Sequence, residues 1–426
     1  VSRFVRSVVL VSICASLVAA CTSSSSSKQA STTGASDAAV PADAIRVSLI
    51  TADLSILTQQ HLAPDIGDPG KVAKAVAADI NAHGGVAGKK LAVTVRPIAN
   101  TATATDAAMQ QVCLQATEED KPFAVIITAA VPVNVVECSA VAHNELTITM
   151  DAWQQAVYTN AKGRLFAVGT SGSASIERQY GYAPTLLQSQ HILDGKTVGI
   201  LNQDQPADRA PAAAALKAAL AKAGIPLAAE ATAPLQSLST CSQTDAAIQR
   251  MQQAKVNFVF LLAENLCGSS LVAAAQRVGY KPQWATLGNN VSNTVANFYS
   301  PSKDTYDGAW GLGGAGGDPS PEATKCAEIA AKAGVKFAPG TDGYGFTTLT
   351  CLQVQTLANA MNAAAQPVTQ DSVINALAAM GTVPMNAGPP GSLSTAKHDA
   401  GDYLTLEKYS AAKGTFQAVG APQRIP

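Results

Sequence analysis

The sequence predicts an α/β fold of two doubly wound lobes around a central cleft. Two observations lead there. From Ile45 onward, short apolar runs alternate with amphipathic helical stretches. That order buries a parallel sheet on both faces. The alternation also comes in two series, one up to about residue 165 and a second following LFAVGTS at 165–171.

The first series opens with the strand Ile45–Thr51 (IRVSLIT). Asp68-Pro69 starts a helix, because Asp can cap it and Pro suits the first turn. The helix runs through KVAKAVAADINAH and stops at Gly84-Gly85. A strand at 91–97 follows, then a helix at 103–118, a strand at 123–128, a helix near 133–144 and a strand at 146–150. The second series follows LFAVGTS (165–171), with a helix near 174–189. Strands at 196–202, 226–233, 256–262 and 283–288 then alternate with helices at 208–224, 243–254 and 268–278. YDGAWGLG, a helix from Pro321 and helices near 343–364 and 369–380 precede a terminal β-hairpin, YLTLEKYSAAKGTFQAVG. Ligands of such sheets sit beyond the carboxyl ends of the strands.

Composition narrows the function. The chain has 426 residues, 47% hydrophobic and 14% charged, with a formal net charge of −1. So few charges exclude most disordered chains. The near-zero balance excludes nucleic acid as a partner, which demands a basic face. The mean hydropathy of +0.13 raises a membrane reading. Yet no apolar run beyond the N-terminus reaches 18 uninterrupted residues, so no transmembrane helix is expected.

The N-terminal VSRFVRSVVLVSICASLVAAC carries Arg3 and Arg6, an apolar stretch from Val8 to Ala20, and small residues directly before Cys21. That pattern reads as a signal peptide over 1–20. It resembles a bacterial lipobox, which implies lipidation of Cys21 and anchoring to the cell membrane. An ordinary secretory signal with an incidental cysteine is the alternative. Two or more acyl chains would make the anchor stable. Residues 21–44, rich in Ser, Thr, Ala and Gly, read as a flexible tether. Removing 1–20 takes away two arginines and no acid, so the formal charge falls to −3.

Six cysteines then remain: Cys113, Cys138, Cys241, Cys267, Cys326 and Cys351. Six allow 15 pairings. An even count, an exported context and consecutive separations of 25, 26 and 25 positions favour local disulfides 113–138, 241–267 and 326–351. A metal site is the rival, but no Cys-x-x-Cys or His-x3-His spacing occurs. Neither a metal nor a cofactor is expected.

Ile80-Asn81-Ala82-His83-Gly84-Gly85-Val86-Ala87-Gly88-Lys89, followed by the strand LAVTV, resembles the first helix and second strand of the type 1 periplasmic binding proteins. This group includes the leucine/isoleucine/valine-binding proteins of ABC importers. TVGILNQDQPADR, VNFVFLLAEN and AAAQRVGYKPQW extend the resemblance over most of 45–426. It implies two lobes joined by three crossovers: 45–165 with 290–380, and 166–289 with 381–426. It also implies hinge closure over a small ligand. The partners would be an ABC permease with its ATPase, the chain acting as an extracytoplasmic monomer. The ligand would be an amino acid or a related small amphipathic solute. A ligand-sensing receptor of the same fold without transport is one alternative, and an enzyme is another.

Strand-end loops supply the candidate ligand-binding residues. In the first lobe these are Asp65, Ile66, Thr128, Ala130, Asp151, Ala152 and Trp153. In the second they are Gln203, Gln205, Glu264, Asn265 and Asn289. Trp153 could form an aromatic wall or pack a loop onto the core. Asp204 could contact ligand or cap the next helix. Glu264 could neutralise a ligand ammonium or be a solvated rim residue. The loop after the third strand, Thr128-Ala129-Ala130-Val131-Pro132-Val133, departs from the serine- and threonine-rich loop of amino-acid binders. No catalytic residues are assigned. Gly311-Leu-Gly-Gly-Ala-Gly316 matches G-x-G-x-x-G formally, but the following helix starts only at Pro321, so it reads as a loop. No G-x-S-x-G, H-E-x-x-H or Walker A motif is present.

Overall fold

A computed structural model describes residues 43–59, 63–99, 105–129, 131–151, 153–204, 209–237, 240–263, 265–291, 296, 299–313 and 317–426. The signal segment, Cys21 and nearly all of the tether lie outside the described residues.

The first sheet is parallel, in the order β2-β1-β3-β4-β5. Its strands are β1 (Ile45–Ala52), β2 (Leu91–Ile98), β3 (Ala124–Thr128), β4 (Thr147–Thr149) and β5 (Leu165–Ala167). Burial on both faces explains why β3 has no polar alternation: all of AVIIT is buried. Odd and even positions feed different cores. Ala124 and Ile126 meet the helices Pro69–Ala82, Pro321–Lys332 and Asp342–Ala363, whereas Val125 and Ile127 meet Val135, Val136 and Trp153 on the other side. Asp68 caps the first of those helices, its carboxylate accepting from the Lys71 amide at 2.8 Å.

The second sheet has eight strands, in the order β16-β15-β12-β11-β10-β6-β7, with β17 (Gln423–Arg424) also on β15. β6 (Val198–Gln203), β7 (Leu227–Ala233), β10 (Phe258–Leu261), β11 (Gln283–Leu287) and β12 (Trp310–Gly313) run parallel. The expected terminal hairpin is β15 (Tyr403–Ser410) with β16 (Thr415–Ala418), and β15 joins β12 antiparallel. A small hairpin, β8 (Leu235–Ser237) with β9 (Thr240–Cys241), follows β7. The three disulfides join Cys113–Cys138, Cys241–Cys267 and Cys326–Cys351.

The expected lobe boundaries shift in three places: β5, which straddles the expected boundary at 165/166, lies wholly in the first sheet. β12 was expected in the first lobe, but it hydrogen-bonds between β11 and β15 in the second sheet. At Gly311 a methyl group would stand 2.5 Å from Val291 and 2.9 Å from Phe416, so glycine lets the strand approach these neighbours at that position. Conversely, β13 (Gly381–Val383) and β14 (Gly391–Leu393), expected in the second lobe, place Val383, Met385, Leu393 and Ala400 in the core of the first. The chain therefore changes lobes between Ala167 and Ile176, between Gly313 and Pro321, and between Ala400 and Tyr403. At their first-lobe ends the first and third crossovers start side by side, Ala167 N–H donating to the His398 carbonyl at 2.9 Å and Ala400 N–H to the Ala167 carbonyl at 2.8 Å.

Candidate functional site

The carboxyl ends of both parallel sheets supply the candidate site. In the first lobe, β1 and β3 are neighbours in register with Thr51 opposite Thr128. Thr51 is 5% exposed and Thr128 0%. Neither hydroxyl has a hydrogen-bond partner among the described residues. Leaving a buried hydroxyl unpaired costs about 1–3 kcal/mol. Thr347, in the second turn of helix Asp342–Ala363, is another buried hydroxyl with no partner among the described residues. The sequence reading named Thr128 but missed Thr51 and Thr347. Thr51 looks like an ordinary strand residue until the register sets it beside Thr128.

The loop before helix Pro69–Ala82 holds Asp65 and Ile66. Asp65 folds back on its own loop, its carboxylate accepting from the Gly67 amide at 2.9 Å. Ile66 is buried. The same loop presses on Gly343, where a methyl group would stand 2.7 Å from the Asp65 carbonyl oxygen. Asp53, directly after β1, has its carboxyl held below the usual value by the Ser55 side chain and amide. Burial pushes the Asp342 carboxyl up.

Trp153 is 4% exposed and belongs to the core cluster that includes Val131, Val135 and Val157. Its indole N–H donates to the Thr149 hydroxyl at 3.3 Å, and the Asp151 amide donates to the same oxygen at 3.3 Å. Thr149 thus fixes the loop after β4. The Trp153 carbonyl accepts from the Ile176 amide at 3.1 Å, which links that loop to the first helix of the second lobe.

In the second lobe, Asn202 and Gln203 are buried at the end of β6. The Asp204 carboxylate accepts from the Leu235 amide at 2.8 Å. It therefore ties the β8–β9 hairpin to the end of β6. Asn265 opens helix Asn265–Arg277, two positions before Cys267 of the Cys241–Cys267 bridge. Asn289 lies in the tight turn Gly288–Val291. Ala130, Ala152, Gln205 and Glu264 lie outside the described residues.

Other chemistry is sparse. Among the described residues, no group of three or more His, Cys, Asp or Glu side chains is placed to hold a metal. The described histidines are engaged locally: His83 with the Asp79 carbonyl, His143 with Glu118, His191 with Asp194, and His398 stacked on Phe166 at 4.3 Å between ring centres. No helix among the described residues is long and apolar enough to cross a membrane.

A family model described as "Periplasmic binding protein" matches residues 64–411. The chain belongs to that periplasmic binding protein family. Its two α/β lobes and interleaved crossovers are the type 1 architecture of the family. Similar solved structures include a leucine binding protein from Thermotoga maritima, at TM-score 0.65 and 11% identity, covering 88% of this chain and 98% of that one. A branched chain amino acid ABC transporter protein from Thermus thermophilus with bound valine has TM-score 0.64 and 15% identity, over 89% and 97% of the two chains. A fatty acid ABC transporter substrate-binding protein from Thermomonospora curvata has TM-score 0.62 and 17% identity, over 90% and 93%. At these identities the likeness concerns the fold. No curated protein matches the chain.

Proposed function

We propose that this chain is an extracytoplasmic solute-binding lipoprotein, anchored through Cys21, that captures a small molecule between its lobes and delivers it to an ABC permease. The observation that carries the reading is the pair of buried, unpartnered hydroxyls of Thr51 and Thr128 at the carboxyl ends of adjacent parallel strands. A ligand oxygen or nitrogen would relieve the cost of burying them.

The charges at the strand ends support a ligand class. Asp53, Asp151 and Asp204 stand there, and no lysine or arginine occurs at 51–55, 98–99, 128–129, 149–151, 168–170, 202–204, 262–263 or 287–288. Glu264 follows the end of β10 in sequence. Such a balance favours a ligand that brings an ammonium or a neutral polar group, such as an amino acid or amide, over a simple anion. The work in this reading is binding, and the lobes close on the ligand by rotation at the crossovers.

The test is a thermal-shift screen of the purified full chain against amino acids, amides, amines, aromatic acids, polyols and fatty acids, with native mass spectrometry of the fresh protein. A solute at 100 times its Kd stabilises by about 2.7 kcal/mol. A hit among amines or amino acids supports the reading. Hits confined to fatty acids would overturn the ligand class, and an empty protein with no hit anywhere would overturn solute capture.

A further inference from the structure

The third crossover carries a buried ionic cluster whose cations come from opposite lobes. Asp399 and Asp402 are 3% and 5% exposed. From the second lobe, Arg178, in the first turn of helix Ile176–Ser189, pairs with Asp399, reaches Asp402 at 3.3 Å and donates to the Gly401 carbonyl at 2.8 Å. Its Nε donates to the Pro426 carbonyl at 2.9 Å. From the first lobe, Lys397 lies in the turn after β14 and pairs with Asp402 at 2.8 Å. It also donates to the carbonyl oxygens of Asp399, at 2.6 Å, and Ser392. The Ser392 hydroxyl donates to Asp402 at 2.5 Å, and the Ser175 amide, on the first crossover, to Asp399 at 2.7 Å.

Two carboxylates are thus held between two cations, one from each lobe. A buried ion pair is a poor source of net stability, because desolvation offsets the attraction; its better-attested use is to fix one geometry. Rotation of one lobe against the other twists the crossovers, and this cluster spans two of them. Any change in their relative angle would pull Arg178 or Lys397 away from carboxylates that have little water to replace them.

We infer that the Arg178–Asp399–Asp402–Lys397 cluster is an interlobe latch, which holds the crossovers at one angle and sets the balance between interlobe conformations. This is independent of which solute binds, and of whether any does.

The test is ligand-free single-molecule FRET on the full chain. Dyes are attached to p-acetylphenylalanine placed at positions 222 and 332, exposed helix positions in the second and first lobes. Two charge-neutral double variants avoid leaving a buried charge unpaired: Arg178→Met with Asp399→Asn, and Lys397→Met with Asp402→Asn. Arg178→Lys keeps the charge and loses the forked contacts, which gives a milder third variant. The latch predicts that each folded variant changes the ratio of interlobe distance populations by about fivefold or more, the size of an ordinary coupling. A cluster that only stabilises the fold would lower Tm and leave the distance distribution of every folded variant as in the parent. That result overturns the latch, and Arg178→Lys failing to fold would overturn it too by showing that the arginine serves folding first.

Discussion

Replacing Thr128 by valine separates a binding group from a structural one. The substitution exchanges a hydroxyl for a methyl group of similar volume in the middle of the first sheet, where Thr128 has no exposure and its hydroxyl no partner among the described residues. If that hydroxyl is buried unpaired, removing it recovers part of the cost of about 1–3 kcal/mol. The ligand-free protein should therefore become more stable. For a folded body of this size, with an unfolding entropy of about 2 cal/mol/K per residue, each kcal/mol raises Tm by about 1–2 °C. Affinity for the solute found by screening should fall about five- to tenfold, the loss of one hydrogen bond worth about 1 kcal/mol. Differential scanning calorimetry reads the first effect and isothermal titration the second. A Thr128→Val protein that melts below the parent would mean that the hydroxyl already has a partner in the free protein, and would remove it as an unpaired binding group. A raised Tm with unchanged affinity would leave the hydroxyl unpaired but remove it from the ligand site.

Three further outcomes are expected. Trp153→Ala should cost about 3–5 kcal/mol of stability in chemical denaturation, as for a core aromatic, since the ring belongs to the core cluster that includes Val131, Val135 and Val157; a loss below ~1 kcal/mol would show a ring not bound into the core. Gly343→Ala should destabilise by about 1–3 kcal/mol through overpacking, because the new methyl group meets Phe337 and the Asp65 carbonyl; a neutral effect on Tm would show that the Asp65 loop yields. Glu407, on β15, has its carboxyl pushed up to about 7 by burial. The folded state then holds a proton that the unfolded state gives up near the ordinary glutamate value. Stability from this group is present below about pH 4 and is lost as pH rises through about 7. Glu407→Gln should thus gain on the parent by on the order of 2 kcal/mol between pH 5 and pH 8, measured by urea denaturation at both; a gap between the two proteins that does not change with pH would count against a buried carboxyl.

Much of this molecule was legible from local pattern. Helix Pro69–Ala82 was readable from Asp68, Pro69 and the Gly84-Gly85 stop because capping is settled within one turn of chain. The three disulfides were readable because each closes a short loop between consecutive cysteines. β12 and β13–β14 fall in the lobes opposite to the expected ones because nothing local in WGLG or in 381–400 records which sheet or core a segment joins. The site was legible only in part for the same reason. Trp153 stands where a strand-end loop is expected, but the direction of its ring depends on Thr149 and on a core built from several separate segments. Thr51 and Thr128 are 77 positions apart, and only the parallel register of β1 with β3 makes them neighbours.

Local pattern along the chain set the alternation of strands and helices, and therefore parallel sheets buried on both faces. Those properties follow from periodicity and capping, which act over a few residues. The tertiary structure alone decided where the crossovers fall, which hydroxyls meet at the strand ends, and that Arg178 would find Asp399 across 221 positions to join the lobes. Such contacts depend on strand order and register, which are set by the packing of the whole chain and leave no mark within any one segment.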